Sequence, residues 1–294
     1  MMPRSTVPVL FHRMAVPARK ALLPLADGLG TLTAAARALP DFLICGAQRS
    51  GTTSLFRTLC LHPCVTGPTL RKGVHYFDTG YRGGPDRYRA YFPPRAGLRA
   101  RRGRPRVRVV ESSPYYLFHP LAAERIARDL PDARVVVILR DPVERAYSAH
   151  AHETARGFET EPFERALELE PERLAGEEER MLADPGYRSY SHQHHGYVAR
   201  GRYADQLERM EKHLGRDRMH VVDHADLFDG TARALGEVER FLGLPPGPGD
   251  APGRHNARAR TSMPEGLRAE LAARFADSDA RLADWWGRVP SWRA

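Results

Sequence analysis

Cysteine is scarce in this 294-residue chain: Cys45, Cys60 and Cys64 are the only three, an odd number confined to the first quarter. A disulfide framework spreads an even set through a secreted domain, so the pattern excludes one and points to a reducing compartment; a cytoplasmic location is the expectation. Cys60 and Cys64 stand four apart, but no second Cys or His pair accompanies them, and no metal site is expected there. Lysine is scarce as well. Lys20, Lys72 and Lys212 are its only examples, although Lys+Arg totals 45 against Asp+Glu 36, a net charge of +9. Arginine therefore carries the positive charge, and the balance favours an anionic partner such as a nucleotide or an acidic substrate. No apolar run approaches the roughly 18 residues of a membrane span, so no integral membrane segment is expected. The stretch from Val7 to Leu39 is interrupted by Arg13, Pro17, Arg19, Lys20, Pro24 and Asp27 and lacks the compact apolar block of a signal peptide. Internal repeats and sustained heptads are absent too.

What is present reads as a layered α/β fold. Four short apolar runs, Phe42–Cys45, Val107–Val110, Val135–Leu139 and Met219–Val222, suit strands buried on both faces of a mainly parallel central sheet. Helical spacing separates them, over Thr52–Leu61, Pro120–Leu130, Pro142–Ala155, Tyr203–Leu214, Thr231–Leu242 and Glu265–Trp286. The expected organisation is an N-terminal arm, residues 1–40, and one domain over 41–294, three layers deep with helices flanking the sheet. Arg95–Arg108 reads as a solvated basic loop, residues 159–180 as an exposed acidic insertion, and Leu244–Gly253 as a flexible linker.

The strongest local signal is Asp41–Leu55, DFLICGAQRSGTTSL. An apolar strand enters Gly46, a polar turn runs to Gly51, and Thr52-Thr53 open a helix. Glycines let backbone N–H groups converge on an anion, and the helix N-terminus adds partial positive charge. The loop is P-loop-like in its Gly-x4-Gly spacing, but Thr52 stands where a Walker motif needs Lys, and the cation is Arg49 inside the loop. That argues against an ATPase or GTPase. A second signal is Arg134–His150, where a buried strand ends in Arg140, Asp141-Pro142 turns the chain and Ser148 follows on a helix. Arg140 and Ser148 can both face the crevice in which α/β sheets bind ligands, one as a fork for phosphate and one as a hydroxyl donor.

The loop Gln48-Arg49-Ser50-Gly51-Thr52, together with Arg140-Asp141-Pro142, Arg145 and Ser148, resembles the sulfotransferase family, in particular its heparan sulfate 3-O- and N-sulfotransferase branch and bacterial relatives. Val74-His75-Tyr76-Phe77-Asp78, Glu111 to Tyr116, Gly201-Arg202-Tyr203 and Gly253-Arg254-His255 extend the match from about Asp41 to Trp286. The resemblance implies an O-sulfotransferase that moves a sulfuryl group from 3′-phosphoadenosine 5′-phosphosulfate (PAPS) to an acceptor hydroxyl on a small molecule, saccharide or glycolipid. It leaves 3′,5′-ADP (PAP) as product and requires no metal. It further implies that Gln48, Arg49, Ser50, Gly51, Thr52 and Thr53 bind the 5′-phosphosulfate, that Arg140 and Ser148 bind the 3′-phosphate, and that Arg254 closes over the nucleotide.

The acceptor side departs from that branch, whose motif carries a catalytic Glu where this chain has Gly73. Lys72 is retained and can reach the sulfonate. His75 and Glu111 are the candidate bases, with His150 and His152 more remote. If the segment is extended, residues 73 and 75 share a face. The cluster His192, His194 and His195 packs three ligands too closely for one ion and is expected on a solvated or acceptor-facing loop. Tyr76, Phe77, Tyr115, Tyr116 and Phe118 are divided between core and acceptor cleft. Arg95–Arg108 carries no recognisable nucleic-acid motif, so no nucleic-acid partner is expected. A PAP-binding protein without turnover is the remaining alternative, kept open by Gly73.

Overall fold

The computed structural model of the chain describes residues 28, 30–69, 72–99, 105–228, 232–247 and 262–294. Five strands, β1 Phe42–Gly46, β2 Val65–Thr66, β3 Arg108–Ser112, β4 Arg134–Leu139 and β5 Met219–Asp223, form one sheet in the order β2-β3-β1-β4-β5. Every pairing in it is parallel.

Strand β4 shows the cause. Val135, Val137 and Leu139 enter one apolar cluster, Val136 and Ile138 the other, and all five are fully buried. Successive side chains leave a strand on opposite faces, so a strand apolar at every position needs cover on both. Among the described residues eight helices of eight residues or more are available for this. They are α1 Thr52–Leu61, α2 Ala122–Asp129, α3 Pro142–Thr154, α4 Phe163–Leu174, α5 Tyr203–Leu214, α6 Ala232–Phe241, α7 Glu265–Arg274 and α8 Ala276–Trp286. Leu55 and Leu59 of α1 and Leu235 and Val238 of α6 cover one face. Ile126 of α2, Leu207 and Met210 of α5 and Leu282 of α8 cover the other. A third cluster joins α3, α4 and α7 through Ala146, Ala149, Phe163, Leu167, Leu271 and Phe275.

Several expectations are corrected. The span Glu265–Trp286 is two helices, broken at Phe275, because the turn there carries that ring into the third cluster while Leu282 stays in the main one. β2 was not expected; two residues are too few for a periodicity to register. The acidic stretch 159–180 is no simple exposed insertion. Glu159 and Glu170 are buried: Glu159 binds Arg173 at 2.7 Å and Tyr197 at 2.9 Å, and Glu170 accepts from Val198 N–H and Ala199 N–H at 2.7 and 2.8 Å. In the basic loop, Arg106 and Arg108 both reach Asp41, at 2.7 and 3.3 Å. Within the expected arm, Ala34 and Ala38 are buried and Arg37 donates to Phe92 O at 2.7 Å, so packing begins before Asp41. Residues 1–27 and 29 of the arm, residues 100–104 of the basic loop, most of the linker, and Arg254 lie outside the described residues. Among the described residues no helix is long and apolar enough to cross a membrane.

Candidate active site

The strand order places a switch beside β1, since the chain leaves it toward β2 and β3 on one side and returns through β4 and β5 on the other. In open parallel sheets the crevice outside such strand ends receives ligands. A cavity of about 630 Å³ lies there, lined by the loop after β1, by Lys72, His75 and Tyr115, by α3, and by residues following β5.

The loop is shaped by backbone. Ala47 N–H donates to Ile138 O at 2.8 Å, tying it to the end of β4, and Ser50 N–H donates back to Ala47 O at 3.2 Å. Arg49 and Gly51 take left-handed conformations, with φ of 70° and 96°. Alternation of this kind turns successive amides toward one concavity, and the N-terminus of α1 follows directly. Gly51 is required twice over, by its φ and because a Cβ there would lie 2.5 Å from the Phe228 ring. Ser50, expected among the binding residues, is not in the cavity lining, and its Oγ is buried with no hydrogen-bond partner among the described residues.

The two phosphate-type motifs meet. Arg49 Nε donates to Ser148 Oγ at 3.1 Å, and Arg140 Nη1 donates to Arg49 O at 3.2 Å. Asp141 caps α3 by accepting from Val143 N–H at 2.9 Å, with Pro142 at the first helical position, which fixes where Arg140 and Ser148 stand. Arg140 also reaches Glu144 at 3.3 Å. Gln48, Arg49, Gly51, Thr52, Thr53, Arg140 and Ser148 all line the cavity. Arg145 does not; it is fully buried and donates to Tyr197 O.

Lys72 spans loop and acceptor wall, donating to Thr52 Oγ1 at 3.2 Å and Thr53 Oγ1 at 3.0 Å. Burial lowers its pKa to about 7, with Glu111 opposing and Arg57 assisting. His75 is not in extended backbone, as the shared-face expectation required. It takes a left-handed conformation, φ 57°, at the head of a wide helical turn, Tyr76–Gly80. Its N–H is held by Ser113 Oγ at 3.0 Å, and Nδ1 pairs with Asp78 Oδ2 at 2.8 Å. Burial pulls the His75 pKa down, but the Asp78 charge and hydrogen bond outweigh it, and the result lies above the ordinary value. Burial alone would raise Asp78, yet His75 and the Thr79 N–H hold it below the usual carboxylate range.

Glu111, the rival base, is fully buried and absent from the cavity lining. It accepts from Val74 N–H at 3.0 Å, from Ser113 Oγ, and from Tyr88 OH at 3.4 Å. Burial raises its pKa despite those bonds. It therefore braces the Val74–His75 segment from behind. Gly73 is tightly enclosed: a Cβ would meet Ser112 O at 2.8 Å and approach His75 Nε2 at 3.4 Å. The imidazole thus stands beside the place where the branch's Glu side chain would begin, and that side chain would not enter without backbone movement.

Sequence reasoning missed a polar network on the cavity's far wall. Arg200 is buried between the rings of Tyr115 and Phe118, 4.8 and 5.0 Å from their centres, and donates to Gln48 Oε1 at 2.6 Å. Gln48 Nε2 in turn donates to Glu153 at 3.1 Å, and Glu153 pairs with His194 at 2.9 Å. Arg200 directly precedes a motif already singled out, but no spacing rule marks it. The three histidines diverge: His192 is buried against Phe118, with burial lowering its pKa to about 2, His194 pairs with Glu153, and His195 Nε2 meets Phe158 O at 3.0 Å. Tyr76, Phe77 and Tyr116 are core, while Tyr115 lines the cavity. His152 lines it as well, whereas His150 is turned to Glu161 O at 2.8 Å. Among the described residues no group of three His, Cys, Asp or Glu is arranged to hold a metal ion.

Comparison with known proteins gives a consistent result. Residues 39–265 match the family model described as the sulfotransferase domain. A solved sulfotransferase from Alicyclobacillus acidocaldarius superposes with a TM-score of 0.64 and 32% sequence identity, over 87% of this chain and 100% of that one. Bifunctional heparan sulfate N-deacetylase/N-sulfotransferase 2 from Homo sapiens is 27% identical over 219 residues, 71% of this chain and 22% of the human protein. The N-deacetylase/N-sulfotransferase 1 of Caenorhabditis briggsae is 26% identical over 256 residues, 83% of this chain and 26% of the nematode protein. The chain thus spans about a quarter of the length of these curated relatives.

Proposed function

The chain belongs to the sulfotransferase domain family, and from that premise we propose that it transfers the sulfuryl group of PAPS to a hydroxyl of a small-molecule, saccharide or glycolipid acceptor. The observation that carries the reading is the convergence of Arg49, Arg140 and Ser148 on one cavity that also holds Lys72 and His75. The donor set fits a nucleotide bearing phosphates at both ends. A left-handed loop and helix N-terminus suit the 5′ side, and Arg140 and Ser148 suit the 3′-phosphate.

Sulfuryl transfer resembles phosphoryl transfer: in-line attack with charge collecting on the leaving oxygen. Asp78 accepts from His75 Nδ1, which leaves Nε2 as the basic nitrogen for the acceptor proton. As that proton leaves, the acceptor oxygen bonds to sulfur, the bond from sulfur to the phosphate oxygen breaks, and PAP departs. Arg49 remains charged throughout and steadies the departing oxygen; Lys72, with a pKa near 7, is able to give it a proton. No metal takes part in this scheme. Tyr115, Gln193, His194 and Glu153 offer the acceptor a polar wall, which suits a polyhydroxylated molecule. A cytoplasmic setting belongs to the same proposal and is supported by Cys45, Cys60 and Cys64 being free thiols.

The test is twofold. PAP should raise the melting temperature, by about 2.7 kcal/mol of stabilisation at 100 times Kd. Radiolabelled PAPS should then pass its label to members of a panel of saccharides, glycolipids and small alcohols. No thermal shift with PAP would overturn the donor assignment; binding without transfer to any acceptor would favour the alternative of a PAP-binding protein.

A further inference from the structure

Beyond residue 265, where the family match stops, the chain returns to the nucleotide end of the cavity. After α8 it forms a short strap whose Ser291 grips Asp223, the last residue of β5. The Ser291 N–H donates to Oδ2 at 2.9 Å and its hydroxyl to Oδ1 at 2.8 Å. Asp223 is almost wholly buried, and its Oδ1 also accepts from Ala225 N–H at 2.9 Å. Asp223 and Ser291 both line the cavity.

From that carboxylate the chain continues into His224–Phe228, a single helical turn. Its Phe228 ring lies against the backbone of Gly51 in the phosphate loop, and His224 packs on Phe228 with ring centres 4.5 Å apart. The next strap residue acts at the other end of the same site. The Trp292 ring meets Tyr203 edge-on at 6.1 Å, and Tyr203 OH donates to Arg140 O at 2.7 Å. The strap is itself fastened, since Trp292 Nε1 and Arg293 Nε both donate to Asp279, at 3.0 and 2.6 Å. One short segment therefore contacts the supports of both the phosphate loop and the 3′-phosphate arginine.

We propose that this strap is a positioning element for the donor nucleotide, and that Ser291, by orienting Asp223 and the turn behind it, sets donor affinity. The inference rests on the PAPS reading above. Its reasoning is geometric. Asp223 sits at a strand end, where a buried carboxylate needs fixed donors; among the described residues Ser291 supplies two of its three hydrogen bonds, Ala225 N–H the third, and Arg288 stands 3.9 Å away as an ion-pair partner. Without the hydroxyl the carboxylate is less restrained, and so is the His224–Phe228 turn that leans on Gly51.

Ser291→Ala, Ser291→Thr and Ser291→Asp would be compared with the unmutated chain by calorimetric PAP titration, by KM for PAPS and for an acceptor, and by melting temperature without nucleotide. In Ser291→Ala the PAP Kd and the donor KM should rise about tenfold, the loss expected for one hydrogen bond to a charged group. Ser291→Asp should lose more, because a second carboxylate then faces Asp223. Ser291→Thr, which keeps the hydroxyl, should restore affinity. The acceptor KM should hold, and the loss should fall on donor KM more than on kcat. A purely structural strap would instead lower the melting temperature and depress all parameters together. PAP affinity unchanged in Ser291→Ala and Ser291→Asp, while the unmutated chain binds PAP, overturns the strap and leaves the donor reading standing. No PAP binding by the unmutated chain removes the donor reading itself, and the strap's role falls with it.

Discussion

Between Gly46 and Thr53 the backbone shapes the cavity, whereas between Lys72 and Asp78 side chains from distant segments do so. The donor loop follows from two left-handed residues, one tie to β4 and the start of α1, all within a few positions of one another. The acceptor wall depends on Ser113 holding His75 N–H, Glu111 holding Val74 N–H and Tyr116 OH holding Tyr76 N–H. A wall assembled from distant contacts can exchange its base without disturbing the donor loop. On the function proposed above, the His75–Asp78 pair takes the place of a carboxylate at Gly73, and the imidazole stands close to where a side chain at 73 would begin.

That contrast can be broken or sharpened by mutation. The largest effect should come from His75→Ala, which should cost about 10²–10⁴ in kcat while leaving PAP affinity intact. Single-turnover rates and PAP titration check both halves, and full activity in this variant would remove the acceptor wall from the chemistry. Asp78→Asn tests the pairing by pH. Asp78 raises the His75 pKa, so its loss should move the acid limb of kcat to lower pH as well as lowering the rate. Next comes Arg49→Ala, which should lower kcat about 10²–10³-fold, since its charge matters most as the leaving oxygen gains charge. Normal turnover with weak PAP binding would instead assign Arg49 to ground-state binding.

Arg140→Ala should weaken PAP by about 10–100-fold, the range for charge-assisted hydrogen bonds, and should leave a nucleotide lacking the 3′-phosphate nearly unaffected. Equal losses for both ligands would show that Arg140 does not read that phosphate. The smallest effect is the pH slope of donor binding. The folded pKa of Lys72, about 7, lies below its ordinary value, so the free protein carries this charge only below that pH. Anion binding favours the charged form, and PAP affinity should therefore fall as pH rises above 7, by at most about tenfold per unit. Lys72→Met should flatten that slope; a slope that persists places the proton elsewhere.

Much of the donor end is legible in the sequence because its determinants are local. Gly46 and Gly51 bracket a loop between an apolar run and a helix start, and Asp141-Pro142 marks where β4 stops and α3 begins. The acceptor end is less legible. Glu111 reads as a candidate base until the fold turns it inward onto Val74, Ser113 and Tyr88. His75 reads as extended until the turn after it takes the form that Asp78 stabilises. Nothing adjacent to Arg200 or Ser291 in the chain foretells that one would reach Gln48 and the other Asp223.

By itself the sequence determined the layered α/β class, four of the five strands, the glycine-bracketed loop after β1 and the family resemblance, because these rest on periodicity and on conformations set by near neighbours. Only the tertiary structure decided which carboxylates face the cavity and which are buried, how His75 is held, and that residues beyond α8 return to the cavity. Those outcomes depend on pairing buried polar groups across many residues of separation, and a buried carboxylate such as Glu111 or Asp223 settles only where the folded chain brings donors to it.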